Sequence, residues 1–151
     1  MPDTPESASG TVLGFDFGLK RIGVAVGTFE LRLAHPLETI ASEVTAIRFA
    51  RIANLIAEWQ PVLAVVGMPH HDDDLPHPFA PNCVRFANRL KGRFGISVVW
   101  VDERYSSASA SMALNENGIF GRKQKTMLDQ IAAQQILQHY FDESGSAHEL
   151  A

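Results

Sequence analysis

The chain has one cysteine, Cys83, in 151 residues. A single thiol forms no internal disulfide and offers no thiolate cluster for structural zinc, so the composition points to a reducing compartment and a buried Cys83. Long apolar runs are also missing. None approaches the ~18 residues a membrane span needs. The opening MPDTPESASG has neither the basic flank nor the apolar stretch of a secretory signal, so a soluble, cytoplasmic protein without a membrane partner is expected. Positive charge is scarce: 13 Lys and Arg face 17 Asp and Glu, a formal charge of −4. This excludes a molecule coated in basic surface and leaves room for a local basic patch. Internal repeats and a low-complexity core are absent.

What remains is 46% hydrophobic, enough for one core and too short for two comfortable domains. Residues 1–10 and 143–151 hold few large apolar side chains and are expected to be disordered tails, leaving one folded unit at 11–142. Within it TVLGFDF and RIGVAVGT read as two strands of a hairpin, with Gly18 supplying turn freedom, and LAHPLETI as a third strand. The pattern changes to helix over 43–60, where Val44, Ile47, Ile52, Leu55, Ile56 and Trp59 recur before Pro61. VLAVVG and ISVVWVDE are continuously apolar enough for strands buried on both faces. Between them lie a Pro-rich loop, MPHHDDDLPHPFAP, and a helix over 82–94 ended by Gly95. Helices over 107–117 and 126–142, separated by the basic GIFGRKQK, complete an α/β order: an antiparallel meander, then crossover strands, in a mixed five-stranded sheet with helices on both faces.

Three acids stand in unusual places. Asp16 lies at the centre of an apolar strand, where an uncompensated carboxylate costs several kcal/mol, so it is paired or functional. Strand alternation places it with Gly14 and Val12. If the hairpin register sets small residues beside it, that shallow face either admits an ion or substrate or lets a helix pack closely. Glu103, with Asp102 and Arg104, ends a buried strand, where ligands of open α/β sheets collect and where strands also simply end in polar residues. Asp129 shares a helical stripe with Ala132, Ala133 and Ile136, although an acid in a first helical turn could merely favour the dipole. Three inward acids would repel one another without divalent cations between them. Hard oxygen ligands select Mg²⁺ or Mn²⁺ and suit phosphoryl chemistry by one or two metals.

The segments GFDFGLKRIGVAVG, VVGMP, RFANRLKGRFG, VVWVDERYSS and LDQIAAQQILQHYF, in this order, resemble the YqgF (RuvX) family of Holliday-junction-resolvase-like nucleases. The resemblance spans about 11–142. It implies a ribonuclease-H-like fold and a bacterial cytoplasmic hydrolase, a metal-dependent endonuclease acting on phosphodiester bonds at the 5′ end of precursor 16S ribosomal RNA, with ribosome-assembly intermediates as partners. By position, Asp16 in DFG, Glu103 in DER and Asp129 ahead of IAA match the family's catalytic and metal-binding acids. Tyr105, Ser106 and Ser107 depart from the family's usual Leu and Thr while keeping hydroxyls, and HHDDDLPHP replaces its usual loop after Gly-x-Pro. Two other readings stay open, a nuclease of branched DNA and a non-catalytic nucleic-acid or ribosome-assembly module. A sugar-kinase-like phosphate site fits poorly, because that fold needs two such domains, and the DFG triplet lacks the rest of the kinase signature.

Phosphate contacts are expected from Lys20 and Arg21 at the hairpin turn and from Arg104. Further candidates are the stripe of Arg85 and Arg89 with Lys91 and Arg93, and the cluster Arg122, Lys123 and Lys125. The run His70 to Asp74 fits no standard metal spacing and reads as an exposed loop. Trp59 and Trp100 fall in core patterns rather than on a base-stacking platform.

Overall fold

The structure, a computed structural model, describes residues 9–69, 79–103, 121–143 and 148–149, with Glu103, 121–126 and 148–149 described by their backbone alone. The predicted meander forms: β1 (Thr11–Phe17), β2 (Ile22–Thr28) and β3 (Ala34–Ile40) pair antiparallel. Helix α1 (Thr45–Trp59) leads to β4 (Leu63–Pro69), and α2 (Ala80–Phe94) to β5 (Ser97–Glu103); β4 pairs parallel with both β1 and β5. Helix α3 (Gly121–Asp142) follows. A two-residue strand β6 (His148–Glu149), beyond the predicted folded unit, joins the edge antiparallel to β5. The strand order is β3-β2-β1-β4-β5-β6, so the five expected strands stand as predicted with β6 added. Among the described residues no helix is long and apolar enough to cross a membrane.

Alternation along the strands divides the interior into two layers. Leu13, Phe15, Ile22, Val24, Ala64, Val66 and Val98 face α1 and α2, meeting Ile52, Leu55, Phe86 and Leu90. Val12, Ala25, Val65, Val99 and Val101 face α3, meeting Ala133, Ile136, Leu137 and Phe141. Burying such side chains contributes on the order of 1.5–3 kcal/mol each. Cys83 is buried, as its composition suggested. Trp59 packs at the margin of the first layer.

Several boundaries differ from the sequence reading. Met68 and Pro69 extend β4 because they pair with Asp102 and Glu103, and proline is tolerated at the strand's last position. Ala80 and Pro81 open α2, where proline's missing N–H would have had no helical partner. Helix α3 begins at Gly121 rather than 126, so part of GIFGRKQK is helical. Gly18 does not adopt positive φ; it is needed because a Cβ there would lie 2.6 Å from the Arg21 carbonyl oxygen. In α1 the buried stripe is Arg48, Phe49, Ile52 and Leu55, while Val44 and Ile47 are exposed. The predicted helix at 107–117, the loop from His70 to Asp74 and Tyr105 to Ser107 lie outside the described residues.

Candidate active site

Strand β1 sits between an antiparallel neighbour, β2, and a parallel one, β4, and the chain leaves the carboxyl end of β1 toward β2 but that of β4 toward β5, in opposite directions along the sheet. Ligands of open α/β sheets bind at such divergences. Asp16 lies there, half-buried, on the α3 side of β1 and in register with Gly23 of β2. A Cβ at Gly23 would lie 1.8 Å from the carbonyl oxygen of Asp129, so the helix backbone rests directly on the strand. One turn pair further along, a Cβ at Gly14 would lie 2.8 Å from Cβ of Leu137. The small residues therefore admit a close-packed helix, and that helix carries the second acid to the register partner of the first.

Polar contacts hold α3 in this position. Gln134 donates from Nε2 to the Ala34 carbonyl at 3.0 Å, and the Ala34 amide donates to Gln138 Oε1 at 2.9 Å. Gln138 Nε2 donates in turn to the Arg32 carbonyl at 3.1 Å. These side chains meet backbone groups near the start of strand β3, which lies at the edge of the sheet.

Asp129 lies two turns into α3, too far from the first turn for the helix dipole to account for it. Its carboxylate accepts from Arg21 Nε at 2.6 Å, with Arg21 37% and Asp129 19% exposed. A charge-assisted bond of this length is the stronger kind. The acid is thus already met by a cation, and the residue supplying it belongs to the turn between β1 and β2.

Glu103 ends β5 opposite Pro69, in the same alternation phase as Val99 and Val101, which face α3. Asp102 takes the opposite phase with Val98 and is half-buried. Two strand spacings, about 10 Å, separate β5 from β1. The Glu103 side chain lies outside the described residues. Among the described residues no group of three or more His, Cys, Asp or Glu side chains is placed to hold a metal. Asp16 and Asp129 still offer hard oxygen donors, the chemistry that fits Mg²⁺ or Mn²⁺, and the guanidinium on Asp129 shows that the spot accepts positive charge.

Of the basic candidates, Lys20 is exposed at the hairpin tip, and Arg85 and Arg89 are exposed one turn apart on α2. Arg104 and the side chains of Arg122, Lys123 and Lys125 lie outside the described residues. Sequence reasoning missed Arg48. It is only 5% exposed, donates from Nη2 to the Leu19 carbonyl at 2.7 Å and from Nε to that of Ser42, and lies 5.4 Å from the Phe17 ring centroid. Burial pushes its guanidinium down from the ordinary value, partly offset by Glu43. Its spacing of four before Ile52 and seven before Leu55 was the available signal.

A family model described as RuvX, Holliday junction resolvase, matches residues 10–143. The chain belongs to this family. Relatives named "Putative pre-16S rRNA nuclease" include one from Nitrosomonas eutropha, 57% identical over 97% of this chain and 99% of its own. One from Nitrosomonas europaea is 56% identical with the same coverage. Among solved structures, Thermus thermophilus RuvC in complex with Holliday junction substrate aligns at TM-score 0.56 and 17% identity, over 93% of this chain and 99% of that one. Fowlpox virus resolvase aligns at TM-score 0.55 and 13% identity, over 88% and 99%. Likeness at this identity establishes the fold, which is ribonuclease-H-like.

Proposed function

We propose that the chain is a metal-dependent endonuclease that hydrolyses phosphodiester bonds of precursor 16S rRNA. The observation that carries this is the seating of α3 on Gly23, which sets Asp129 beside the register partner of Asp16 at the carboxyl end of β1. Asp16, Asp129 and Glu103 would hold Mg²⁺ or Mn²⁺. Such ions supply Lewis acidity at the phosphoryl group and a water more easily deprotonated at neutral pH. Asp16 is fixed by its strand and Asp129 by its helix, so the two carboxylates are oriented before substrate arrives. Arg21 holds Asp129 in place until a stronger cation competes for it. Lys20, exposed at the hairpin tip, neutralises a neighbouring phosphate of the strand. RNA as substrate is taken from the names of the relatives, and cytoplasmic action follows from that substrate.

The test is cleavage of two labelled substrates, a 5′-extended 16S rRNA precursor and a mobile four-way DNA junction, with Mn²⁺, Mg²⁺ or chelator. Metal-dependent cutting of the RNA, abolished in Asp16→Asn with binding retained, is expected. Cutting of the junction alone would move the assignment to branched DNA. Binding without cutting of either would make the chain an assembly module.

A further inference from the structure

On the side of the sheet opposite the acids, a cavity of about 180 Å³ lies at the same end of β1, lined by Phe17, Arg48, Asn82, Arg85, Phe86 and Arg89 among others. Asp16 and Phe17 are consecutive, so the cavity and the acid site are back to back across one strand end. The turn joining β1 to β2 spans both: Leu19 lines the cavity, Lys20 is exposed at the tip, and Arg21 bonds Asp129 on the far side.

Among the described residues, charge in the cavity is unbalanced: three guanidinium groups line it against one carboxylate, Glu43, which is exposed. Among the described residues none of the three arginines has a carboxylate within ion-pair distance. Arg48 is the informative member: it is buried and hydrogen-bonded to neutral carbonyls, and the exposed Glu43 only partly offsets the cost of burying its charge. Arg85 and Arg89 stand one turn apart on α2 with spare donors, a fork suited to phosphate oxygens. Phe17, Phe49 and Phe86 supply apolar wall, as a sugar ring would need. A duplex is too wide for a space of this size, whereas a single strand can place one residue in it.

We infer that this cavity is a second binding site, which takes a backbone phosphate and sugar of single-stranded nucleic acid passing over the β1–β2 turn from the acids. The inference rests on the nuclease reading for the identity of the ligand. Its test is independent of cleavage, because it is made in chelator. Affinity for a fluorescent single-stranded RNA decamer is measured for the wild type, for R85Q/R89Q and for Arg51→Gln. Arg51 is on α1, does not line the cavity and pairs with Glu38. The double variant should lose about 10-fold or more in affinity and lower the salt slope by roughly 1–2. Arg51→Gln should stay within about twofold, with circular dichroism confirming that all are folded. An equal loss in R85Q/R89Q and Arg51→Gln overturns the site, as does an equal loss for a blunt duplex of the same length. At the ionic strength of the chloride control, inorganic phosphate equal to the decamer's own phosphate concentration should displace it no better than chloride. Efficient displacement by phosphate would overturn the strand in favour of a free anion. Should the protein prove unable to cleave, the decamer result still stands or falls by itself.

Discussion

Replacing Gly23 by Ala tests the packing that creates the candidate site. The new methyl would lie 1.8 Å from the Asp129 carbonyl oxygen, whereas ordinary contact begins near 3.4 Å, so α3 would have to lift by about 1.6 Å. Backbone cannot swing aside as a long side chain does. Lifting the helix opens a gap along Ala133, Ile136, Leu137 and Phe141, and a gap of 0.5–1 Å already forfeits roughly a quarter to a half of each contact's attraction. With four such residues the loss should reach about 3–5 kcal/mol, at or above the usual range for overpacking. Gly92→Ala is the internal control: a Cβ there meets nothing within 4 Å, and in the last turn of α2 alanine should stabilise by up to about 0.5–1 kcal/mol. Urea denaturation of the two variants beside wild type reads both signs, with unchanged m-values indicating that only stability moved. A Gly23→Ala protein within about 0.5 kcal/mol of wild type would refute the seating of α3, and the pairing of the two acids with it.

Further outcomes follow from the same contacts. Asp16→Asn should lower metal-dependent cleavage by at least the 10–100-fold typical of perturbing a metal's surroundings, while gel-shift affinity for RNA holds. A double-mutant cycle on Arg21 and Asp129, read by thermal unfolding without metal, should give about 0.5–1 kcal/mol of coupling, since both groups are partly solvated. Arg48→Lys keeps the charge but cannot reach both carbonyls, so denaturation should show a loss of about 1–3 kcal/mol. Phe86→Ala removes a ring that meets Phe15, Phe17 and Phe49 and should cost about 3–5 kcal/mol by the same assay.

Much of this architecture was legible because period and chemistry agreed. Alternation placed Asp16 on one face, continuous apolar runs marked β4 and β5, and Gly95, which takes positive φ, marked the end of α2. The inward stripe of Asp129 was visible in its spacing to Ala133 and Ile136, which are buried. What was hidden depends on tertiary contact. No local pattern says that Gly23 meets a helix over 100 residues later, or that Arg21 reaches the acid that helix carries. Arg48 escaped notice because an arginine in a helical pattern reads as solvated, and only the carbonyls of Leu19 and Ser42 explain its burial. Met68 and Pro69 looked like loop because proline is a turn signal, while pairing with β5 decided otherwise.

The claim that Asp16, Glu103 and Asp129 share a divalent cation is tested most directly by Mn²⁺ binding, followed through water-proton relaxation, which detects weak sites. Wild type should show saturable enhancement that Asp16→Asn, Glu103→Gln and Asp129→Asn each weaken by about 10-fold or more. Undiminished Mn²⁺ binding in all three variants would contradict the account.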